Sequence, residues 1–451
     1  MPDSVLIANR GEIARRVIRT CRRLGVRAVA VYSEADAELP FVAEADEAVL
    51  IGPAQAKLSY LNTGAILDAA RRTGAASLHP GYGFLAENAE FAAQVIDAGL
   101  TWIGPSPEAI ERMGDKIRAR NLMADAGVPV AEGATEPVAD VDAAVALAKQ
   151  IGYPVMIKAA AGGGGIGMSE AADEQALRSG FETARSRAER FFASPAILLE
   201  RYIAAARHVE VQILGLADGR VVALGERDCS VQRRHQKVAE ETPSPGVDQA
   251  LRERMLAAAI RAGEAVGYRG AGTVECLVDT HTGEFVFLEM NTRLQVEHPV
   301  TEMVTGIDLV EQQLRVADGL DANFDVSSIS ASGHALELRI YAEDPVRFLP
   351  SPGPITQWRE PVGEGIRVDS GYAAGNVVTP HYDPLLAKLV LHAADRPGAL
   401  ALARQAVEDF VITGLKTNLA FHADLLNSEE FGSGDYDTSV VNRLRSLGGA
   451  R

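Results

Sequence analysis

The sequence predicts a mixed α/β and α+β protein that begins with a doubly wound parallel α/β domain. The chain has 451 residues. This exceeds the roughly 250–300 residues that share one hydrophobic core, so two or three domains are expected. The first hundred residues alternate short apolar segments with helix-like segments, as in a parallel sheet covered by helices. The later part is rich in strand patterns divided by proline and glycine, which indicates a strand-rich C-terminal domain.

The first domain is expected to cover residues 1–113. Its strands are predicted at residues 5–8, 27–32, around 51, 77–78 and 102–103, and its helices at 12–24 and 65–73. Strands that alternate with helices pair in parallel, because each helix carries the chain back across the sheet.

A smaller α+β unit is expected at residues 114–204, where it would act as a lid. It contains a predicted helix at 116–126, a strand at 154–160, a glycine-rich loop, a helix at 173–190 and a strand at 196–200. Residues 205–451 form the third part, with short strands and helices, a strand-rich region at 336–390 and two closing helices.

The composition describes an ordinary globular protein, with 47% hydrophobic and 23% charged residues. A formal charge of −17 argues against a general nucleic-acid or anionic-membrane surface, since both need a basic patch. The cysteines Cys21, Cys229 and Cys276 are far apart and form no CxxC pair, which favours a reducing cytoplasm over a disulfide framework or a zinc site. No secretory signal is recognised at the N-terminus, and no apolar stretch approaches the ~20 residues of a membrane span.

Polar residues alternate along one segment that follows the apolar run at 285–288. They are Glu289, Asn291, Arg293, Gln295 and Glu297. In an extended chain every second side chain lies on the same face, so the five groups would converge. The set combines a metal-type carboxylate, anion-binding donors and a possible base, which predicts a site for a metal-bound anion.

A second acid, Glu275, lies on the preceding predicted strand. With a turn centred near His281, Glu275 would pair with Phe287 and lie diagonally opposite Glu289, about 7–8 Å away. Two such carboxylates repel unless a cation compensates them. With the amide oxygen of Asn291 they predict Mg²⁺ or Mn²⁺, and the alternative is a pair of outward-facing strand acids.

The glycine-rich loop at residues 161–167 follows a strand that ends near Lys158. Its glycines would let backbone N–H groups approach a phosphate, and Lys158 could reach the same group. The pattern satisfies GxGxxG only formally and lacks the GK[ST] of a Walker A loop, so a flexible hairpin remains the alternative. Lys116 alone would be read as a solvated lysine, whereas Glu200 at a strand end could accept an adenine amino hydrogen.

A basic run interrupts this acidic chain at residues 227–237. It contains Arg227, Arg233, Arg234, His235 and Lys237. A solvated charged face is one interpretation, and a local anion site is the other, because an acidic protein must reverse its charge locally to bind an anion.

Several segments together resemble biotin carboxylase, a member of the ATP-grasp superfamily. The resemblance is carried by IANRGEIA, HPGYGFLAEN, KAAAGGGGIGM, ERDCSVQRRHQK, EMNTRLQVEHPVTE, RIYAEDP and HYDPLLAKL, which begin at residues 7, 79, 158, 226, 289, 339 and 381. The resemblance covers nearly the whole chain and implies an ATP-grasp lid and core behind the N-terminal domain.

The resemblance also implies residue roles. The implied ATP contacts are Lys116, Lys158, Gly163, Gly164, Gly165, Glu200, Tyr202, His208, Gln232 and His235. The implied metal ligands are Glu275, Glu289 and Asn291, the first two of which would also contact the nucleotide. The bicarbonate pocket would contain Lys237, Arg293, Gln295 and Val296, with Glu297 as general base. Tyr82 and Arg339 would lie at the biotin ring, with Arg339 stabilising the enolate-like ureido oxygen.

The implied reaction uses ATP and Mg²⁺ or Mn²⁺ to carboxylate biotin on a separate biotin carboxyl carrier protein. Bicarbonate attacks the γ-phosphorus to give carboxyphosphate, whose breakdown supplies CO₂ to biotin. No Met-Lys-Met biotinylation sequence is present, so a carrier and carboxyltransferase subunits of an acetyl-CoA or acyl-CoA carboxylase are the expected partners. Arg16, Arg19 and Arg367 resemble positions near the family's dimer interface, with solvated charge as the alternative.

Two positions of the glycine loop differ from the family pattern. Many relatives carry arginine at the position of Ile166 and glycine at that of Ala161, so weaker phosphate binding is expected. The competing hypotheses are another ATP-grasp ligase with a different acceptor and a non-catalytic nucleotide-binding regulatory homologue.

Overall fold

The computed structural model describes residues 1–160, 168–192 and 194–448. The loop positions Ala161, Gly163, Gly164, Gly165 and Ile166 lie outside the described residues. No helix within the described ranges is long and apolar enough to cross a membrane.

The N-terminal domain is a five-stranded parallel sheet. Its strands are Ser4–Ile7 (β1), Arg27–Ser33 (β2), Glu47–Gly52 (β3), Ser77–His79 (β4) and Thr101–Trp102 (β5), in the order β3-β2-β1-β4-β5. Its helices are Gly11–Leu24 (α1), Pro40–Glu44 (α2), Thr63–Thr73 (α3), Ala89–Asp97 (α4) and Pro107–Gly114 (α5). Alternate β1 residues enter two separate cores, Val5 with α1 and Leu6 with α3 and α4. The sheet is therefore covered on both faces, which confirms the doubly wound prediction.

The middle unit has its own small core. Its elements are Lys116–Asp125 (α6), Val141–Ile151 (α7), Val155–Ala159 (β6), Ser169–Ala171 (β7), Glu174–Phe192 (α8) and Ile197–Arg201 (β8). The strands form an antiparallel sheet in the order β7-β6-β8, and α7 and α8 pack on it through Val145 and Phe181. Helix α6 packs instead against the next sheet, because its Met123 joins the core below that sheet.

An eight-stranded antiparallel sheet forms the rest of the framework. Its strands are Ala206–Gly215 (β9), Val221–Arg233 (β10), Gln236–Thr242 (β11), Gly270–Asp279 (β12), Phe285–Asn291 (β13), His334–Tyr341 (β14), Ile366–Ser370 (β17) and Leu385–Ala393 (β19). Their order is β13-β12-β9-β10-β11-β14-β19-β17. The helices Gln249–Ala265 (α9), His298–Thr305 (α10) and Leu309–Ala317 (α11) pack around it. The strands between residues 206 and 291 and those between residues 334 and 393 thus share one sheet, joined where β11 pairs with β14.

The C-terminal region is rich in short strands, as predicted. The remaining strands are Gly353–Pro354 (β15), Gln357–Arg359 (β16), Val377–Val378 (β18) and Val411–Thr413 (β20). The prediction of two closing helices is wrong. The described part contains Arg396–Asp409 (α12), Leu419–Asn427 (α13), Glu429–Ser433 (α14) and Val440–Gly448 (α15). Helix α14 begins separately because the Ser428 side chain caps its N-terminus, and it ends at left-handed Gly434.

Candidate active site

A cavity of about 1010 Å³ lies at the meeting point of the three parts of the chain. The predicted site residues that line it are Tyr82, Lys116, Lys158, Glu200, Tyr202, His208, Gln232, His235, Lys237, Glu275, Glu289, Asn291, Arg293, Gln295, Val296 and Arg339. Glu297 is fully buried beneath this lining, where it contacts Lys237 and Arg339. The structure therefore brings together the predicted residues that it describes.

A row of charged residues crosses four neighbouring strands at the cavity, and Glu275 and Glu289 of this row line it. Arg227 on β10 is opposite Glu210 on β9, Glu210 is opposite Glu275 on β12, and Glu275 is opposite Glu289 on β13. Directly opposed residues have Cβ atoms only about 5 Å apart, so three carboxylates are forced close together. Such a row needs cations to offset its mutual repulsion.

The predicted register of the β12–β13 hairpin is wrong by one residue near the turn and by two residues at Glu275. Glu275 pairs directly with Glu289, and Cys276 pairs with Phe287. Leu288 is the extra residue of a bulge, and a bulge shifts the side chains that follow it to new partners. The predicted diagonal pair is thus a directly opposed pair, which strengthens the case for a cation between the two acids.

The prediction that one extended segment continues through Glu297 is also wrong. Strand β13 ends at Asn291, and Glu297 is the residue that precedes helix α10, with a φ of −80° and a ψ of 9°. Pro299 lies at the start of that helix, a position where its fixed φ and missing N–H suit helix initiation. The bend takes Glu297 off the strand face and places it under Lys237.

Lys237 is the central cation of the acidic cluster. Its Nζ lies 2.6 Å from Glu210 Oε2, 2.8 Å from Glu275 Oε1 and 2.7 Å from Glu297 Oε1. Burial opposes its charge, but the three carboxylates hold the pKa of Lys237 well above its usual value. An ammonium with three carboxylate partners is positioned by geometry, and it remains charged over the physiological pH range.

Glu297 links Lys237 to Arg339. Its second oxygen accepts from Arg339 Nη2 at 3.0 Å, and the same Nη2 lies 2.6 Å from Glu240 Oε1. Burial alone would raise the pKa of Glu297, yet Lys237 and Arg339 hold it well below its usual range. Glu297 is therefore an ionised carboxylate, the form that a general base requires.

Glu275 accepts hydrogen bonds from several sides. His208 Nε2 lies 2.8 Å from Oε2, while Asn291 Nδ2 and Gln295 Nε2 donate to Oε1 at 2.8 and 3.1 Å. Gln232 Nε2 contacts His208 Nδ1 at 2.6 Å, which fixes the orientation of the ring. Burial opposes ionisation of Glu275, but Lys237 and His208 lower its pKa.

The residues at Glu275, Glu289 and Asn291 fit a hard divalent cation. They supply oxygen ligands, and the two carboxylates face each other on paired strands. Burial, and then the charge of Glu275, raise the pKa of Glu289, with Lys116 offsetting the effect only in part. A divalent cation would remove this repulsion, so the donor set matches Mg²⁺ or Mn²⁺.

Arg293 is held rigidly at the edge of the same cluster. It donates through Nε to Glu87 Oε2 at 2.9 Å, through Nη1 to Gln295 Oε1 at 2.8 Å and through Nη2 to Asn291 Oδ1 at 3.0 Å. A guanidinium fixed on three sides presents a preorganised cation to a small planar anion.

Another part of the cavity lining combines two lysines with an apolar slot. Lys158 pairs with Glu200, a contact that the sequence analysis did not anticipate. Burial lowers the pKa of Lys116, the first residue of α6. Aliphatic side chains line the slot beside Tyr202, namely Met156, Met168, Ile203, Leu277, Val286 and Leu288. A flat heterocycle fits between such side chains, and anionic groups attached to it would extend toward the lysines.

Arg234 and His235 form a strained two-residue turn at the rim. Arg233 pairs with Gln236 across the β10–β11 hairpin, and the two turn residues have φ angles of 50° and 66°. Residues other than glycine and asparagine rarely adopt these positive φ angles, so the backbone conformation of the turn costs free energy. Both residues line the cavity.

Sequence reasoning missed four acids and one lysine at this site. They are Glu12, Glu87, Glu210, Glu240 and Lys388. Glu210 carries a detectable signal, because His208, Glu210 and Gln212 alternate along β9 in the same way as the residues near Glu289. The other four come from distant parts of the chain, and no local pattern distinguishes them from ordinary charges.

The arrangement can bind a polyanion with a planar group at one end and a small anion beside an ionised carboxylate at the other. The fixed cations, the oxygen cluster and the buried base together suit transfer of a phosphoryl group to an oxygen nucleophile.

Three family models match successive parts of the chain. They are the biotin carboxylase N-terminal domain at residues 1–110, the ATP-binding domain of the carbamoyl-phosphate synthase L chain at 115–323 and the biotin carboxylase C-terminal domain at 337–443.

Related proteins match the sequence and the fold of this chain over almost its full length. The biotin carboxylase of Halalkalibacterium halodurans is 51% identical over 446 residues, which cover 99% of this chain and 98% of the relative. The biotin carboxylase–β,γ-ATP complex from Campylobacter jejuni has a TM-score of 0.95 at 45% identity, covering 98% of this chain and 99% of that one. The biotin carboxylase domain dimer of Hydrogenobacter thermophilus 2-oxoglutarate carboxylase, bound to MgADP, ADP and bicarbonate, has a TM-score of 0.94 at 43% identity and covers 98% of each chain. The chain therefore belongs to the biotin carboxylase family of ATP-dependent ligases.

Proposed function

We propose that this protein uses ATP and bicarbonate to carboxylate biotin on a separate biotin carboxyl carrier protein, through carboxyphosphate. The reaction would be the first half-reaction of an acyl-CoA carboxylase, with acetyl-CoA as the first acceptor to test. The observation that carries the proposal is the contact of Glu297 with both Lys237 and Arg339 beside the oxygen cluster at Glu275 and Glu289.

The nucleotide would lie with adenine in the apolar slot near Glu200 and Tyr202. Its phosphates would reach Lys116, Lys158, His208, Gln232 and His235, all of which line the cavity. Glu275, Glu289 and Asn291 would hold Mg²⁺ or Mn²⁺, which neutralises phosphate charge when it is bound. The Hydrogenobacter relative was solved with MgADP, which supports a magnesium nucleotide as the ligand.

Bicarbonate would bind among Lys237, Arg293, Gln295 and the backbone of Val296. Glu297 would accept the bicarbonate proton as the oxygen attacks the γ-phosphorus and ADP leaves. In this structure Lys237 and Arg339 are paired with carboxylates. Substrate binding would therefore exchange ion pairs, with the anion taking over one partner of each cation.

Biotin would bind between Tyr82 and Arg339. Carboxyphosphate decomposes to CO₂ and phosphate, the phosphate removes the biotin N1 proton, and N1 attacks CO₂ to form the new N–C bond. Arg339 would stabilise the negative charge on the ureido oxygen, because its guanidinium is already fixed by two acids. The carboxyltransferase subunits would then determine the acceptor.

A homodimer is also proposed, supported by the domain dimer of the Hydrogenobacter relative. Arg16 is buried and paired with Glu302 and Asp308 at 2.6 and 2.8 Å, so its interpretation as solvated charge is wrong. Arg19 remains half exposed beside Asp369 and is the better probe of an interface. Sedimentation equilibrium of wild type and Arg19→Glu tests the dimer, and a monomeric wild type would refute it.

The decisive test is phosphate release from ATP with Mg²⁺, with and without bicarbonate and free biotin. We expect release that needs bicarbonate and rises with biotin. A rate unchanged by omission of bicarbonate would refute the proposal and favour another acceptor, whereas nucleotide binding without turnover would indicate a regulatory homologue.

Glu297→Gln tests the base directly. We expect turnover to fall by a factor of about 10²–10⁴, because general base catalysis contributes that much, while ATP binding persists. Glu264→Gln is the matched control, since Glu264 is an exposed acid on α9. Normal turnover in Glu297→Gln would remove the assigned role.

A further inference from the structure

Lys388 is a fully buried lysine that joins three distant segments at the active site. It lies on β19, and its Nζ donates to the carbonyl oxygen of Val296 at 2.8 Å. The same Nζ lies 3.1 Å from Glu12 Oε2, at the start of α1. The other oxygen of Glu12 accepts a hydrogen bond from the Tyr82 hydroxyl. One chain of contacts therefore runs from Val296 to Tyr82.

Stability alone is a weak reason for such an arrangement. A buried ion pair loses hydration, and well-packed apolar side chains often stabilise a core as well or better. The pair instead provides positioning, because the ammonium and the carboxylate hold the groups to which they hydrogen-bond in fixed places. Those groups here are a backbone carbonyl at one end and a phenol at the other.

Both ends belong to the proposed substrate sites. Val296 lies between Gln295 and Glu297, so its carbonyl determines how the bend after β13 presents those two side chains. Tyr82 lies on the loop between β4 and α4 and lines the cavity beside Arg339. Arg339 is also directly opposite Lys388 on the paired strands β14 and β19.

We propose that Lys388 and Glu12 are a positioning pair that fixes the bicarbonate end of the site relative to the biotin end. The proposal rests on the function proposed above. Neither residue is a catalytic group, because Lys388 has no exposed surface and Glu12 has only 4%. Their role is to hold Val296 and Tyr82 at a constant separation across the boundary between the N-terminal domain and the sheet.

The first variant is Lys388→Met, which keeps an unbranched chain and removes the charge. We expect KM for bicarbonate and for biotin to rise about tenfold, while the Kd for ATP changes by less than about twofold. The Kd for ATP should change little because neither Val296 nor Tyr82 is among the proposed nucleotide contacts. Lys416→Met is the matched control, since Lys416 forms a surface pair with Asp344 at 2.7 Å and is 61% exposed.

The double variant Glu12→Gln/Lys388→Met distinguishes the positioning role from a purely structural one. Lys388→Met alone leaves Glu12 buried without its cation, which destabilises the fold. The double variant removes both charges, so its unfolding midpoint should return toward that of the wild type while both KM values stay high. Wild-type KM values in the double variant would overturn the proposal, because they would show that only charge balance mattered.

Hydrogen exchange gives a measurement that does not depend on turnover. In the nucleotide-free double variant we expect faster exchange at both residues 80–86 and residues 293–298, and no change at either segment in Lys416→Met. Unchanged exchange at both segments would overturn the inference. If the wild type lacks bicarbonate-dependent turnover, the proposed function fails, and the exchange result still decides whether the pair positions the two segments.

Discussion

At the scale of single residues, the site is dominated by buried charges that share partners. Glu210, Glu275 and Glu297 meet at one ammonium, and Glu240 and Glu297 meet at one guanidinium. Removal of one partner leaves a buried charge uncompensated, which costs several kcal/mol. Individual variants at this site will therefore affect both folding and chemistry, and a measurement of stability must accompany each kinetic one.

Glu337 is an acid that the fold keeps protonated. It is directly opposite Glu240 on paired strands, and its oxygens have no hydrogen-bond partner among the described residues. Burial raises its pKa well above the usual value. Such a group favours the folded state below its unfolded pKa of about 4.3 and penalises it as pH rises toward the folded pKa.

We predict that Glu337→Gln stabilises the protein at pH 8 by about 1–3 kcal/mol, because it removes the cost of keeping the acid neutral. The benefit should shrink at pH 5, where the wild-type acid is protonated at little cost. Urea unfolding at the two pH values measures this. Glu264→Gln on the surface is the control, and equal stability of Glu337→Gln and wild type at pH 8 would contradict the prediction.

At the scale of elements, bulges, bends and turns place the side chains that matter. The extra residue Leu288 brings Glu275 and Glu289 face to face, and the bend after Asn291 places Glu297 under Lys237. The strained turn at Arg234 and His235 brings a guanidinium and an imidazole to the rim. In each case an irregular element places charge where a regular one would not.

We predict that Arg234→Asn stabilises the β10–β11 hairpin by about 0.5–1 kcal/mol, because asparagine adopts the left-handed region more readily than arginine does. Arg234→Val should destabilise it by about 1–2 kcal/mol, since a branched side chain is poorly tolerated at positive φ. Urea unfolding of both variants provides the measurement. A valine variant as stable as wild type would show that the turn carries no strain.

At the scale of the whole molecule, buried histidines join the parts of the chain. His79 Nδ1 accepts from the N–H of Gly81 at 2.9 Å, and its Nε2 contacts Gln313 Oε1 at 3.1 Å. His422 Nε2 contacts the Arg339 carbonyl at 2.8 Å. Burial lowers the pKa of each ring to about 4. Both rings are therefore neutral in the folded protein, and both support strands or loops of the active site.

These histidines should destabilise the fold in acid. Below pH ~6.5 both histidines are protonated in the unfolded chain but stay neutral in the folded protein. Each histidine therefore lowers the free energy of unfolding by roughly 2 kcal/mol at pH 5. Burial raises the pKa of Glu240 and Glu343 to about 7, which acts in the opposite direction over the same range. The difference between variants, and not the wild-type curve, is therefore the useful measurement.

We predict that His79→Gln/His422→Gln loses less stability than wild type between pH 7.5 and pH 5, measured as the free energy of unfolding in urea. The glutamine side chains cannot be protonated, so the acid-dependent loss from both sites disappears. His281→Gln, at an exposed turn, should follow the wild-type curve. Identical pH dependence in the double variant and the wild type would contradict the prediction.

The sequence by itself determined the fold class, the parallel N-terminal sheet and most of the polar residues of the site. Local periodicity carries this information, because strands and helices repeat their buried faces at fixed intervals. The Glu289–Asn291 alternation and the basic run both led to residues that line the cavity. The domain boundaries and the residue roles stay predictions.

Only the tertiary structure decided how those residues meet. The bulge at Leu288, the pairing of Lys158 with Glu200 and the contacts of Lys388 with Val296 and Glu12 depend on strand register and on packing between distant segments. A short stretch of sequence does not determine strand register or long-range partners, because both depend on which residues the whole fold buries. For that reason the sequence indicated the kind of chemistry, and the structure supplied the contacts that position it.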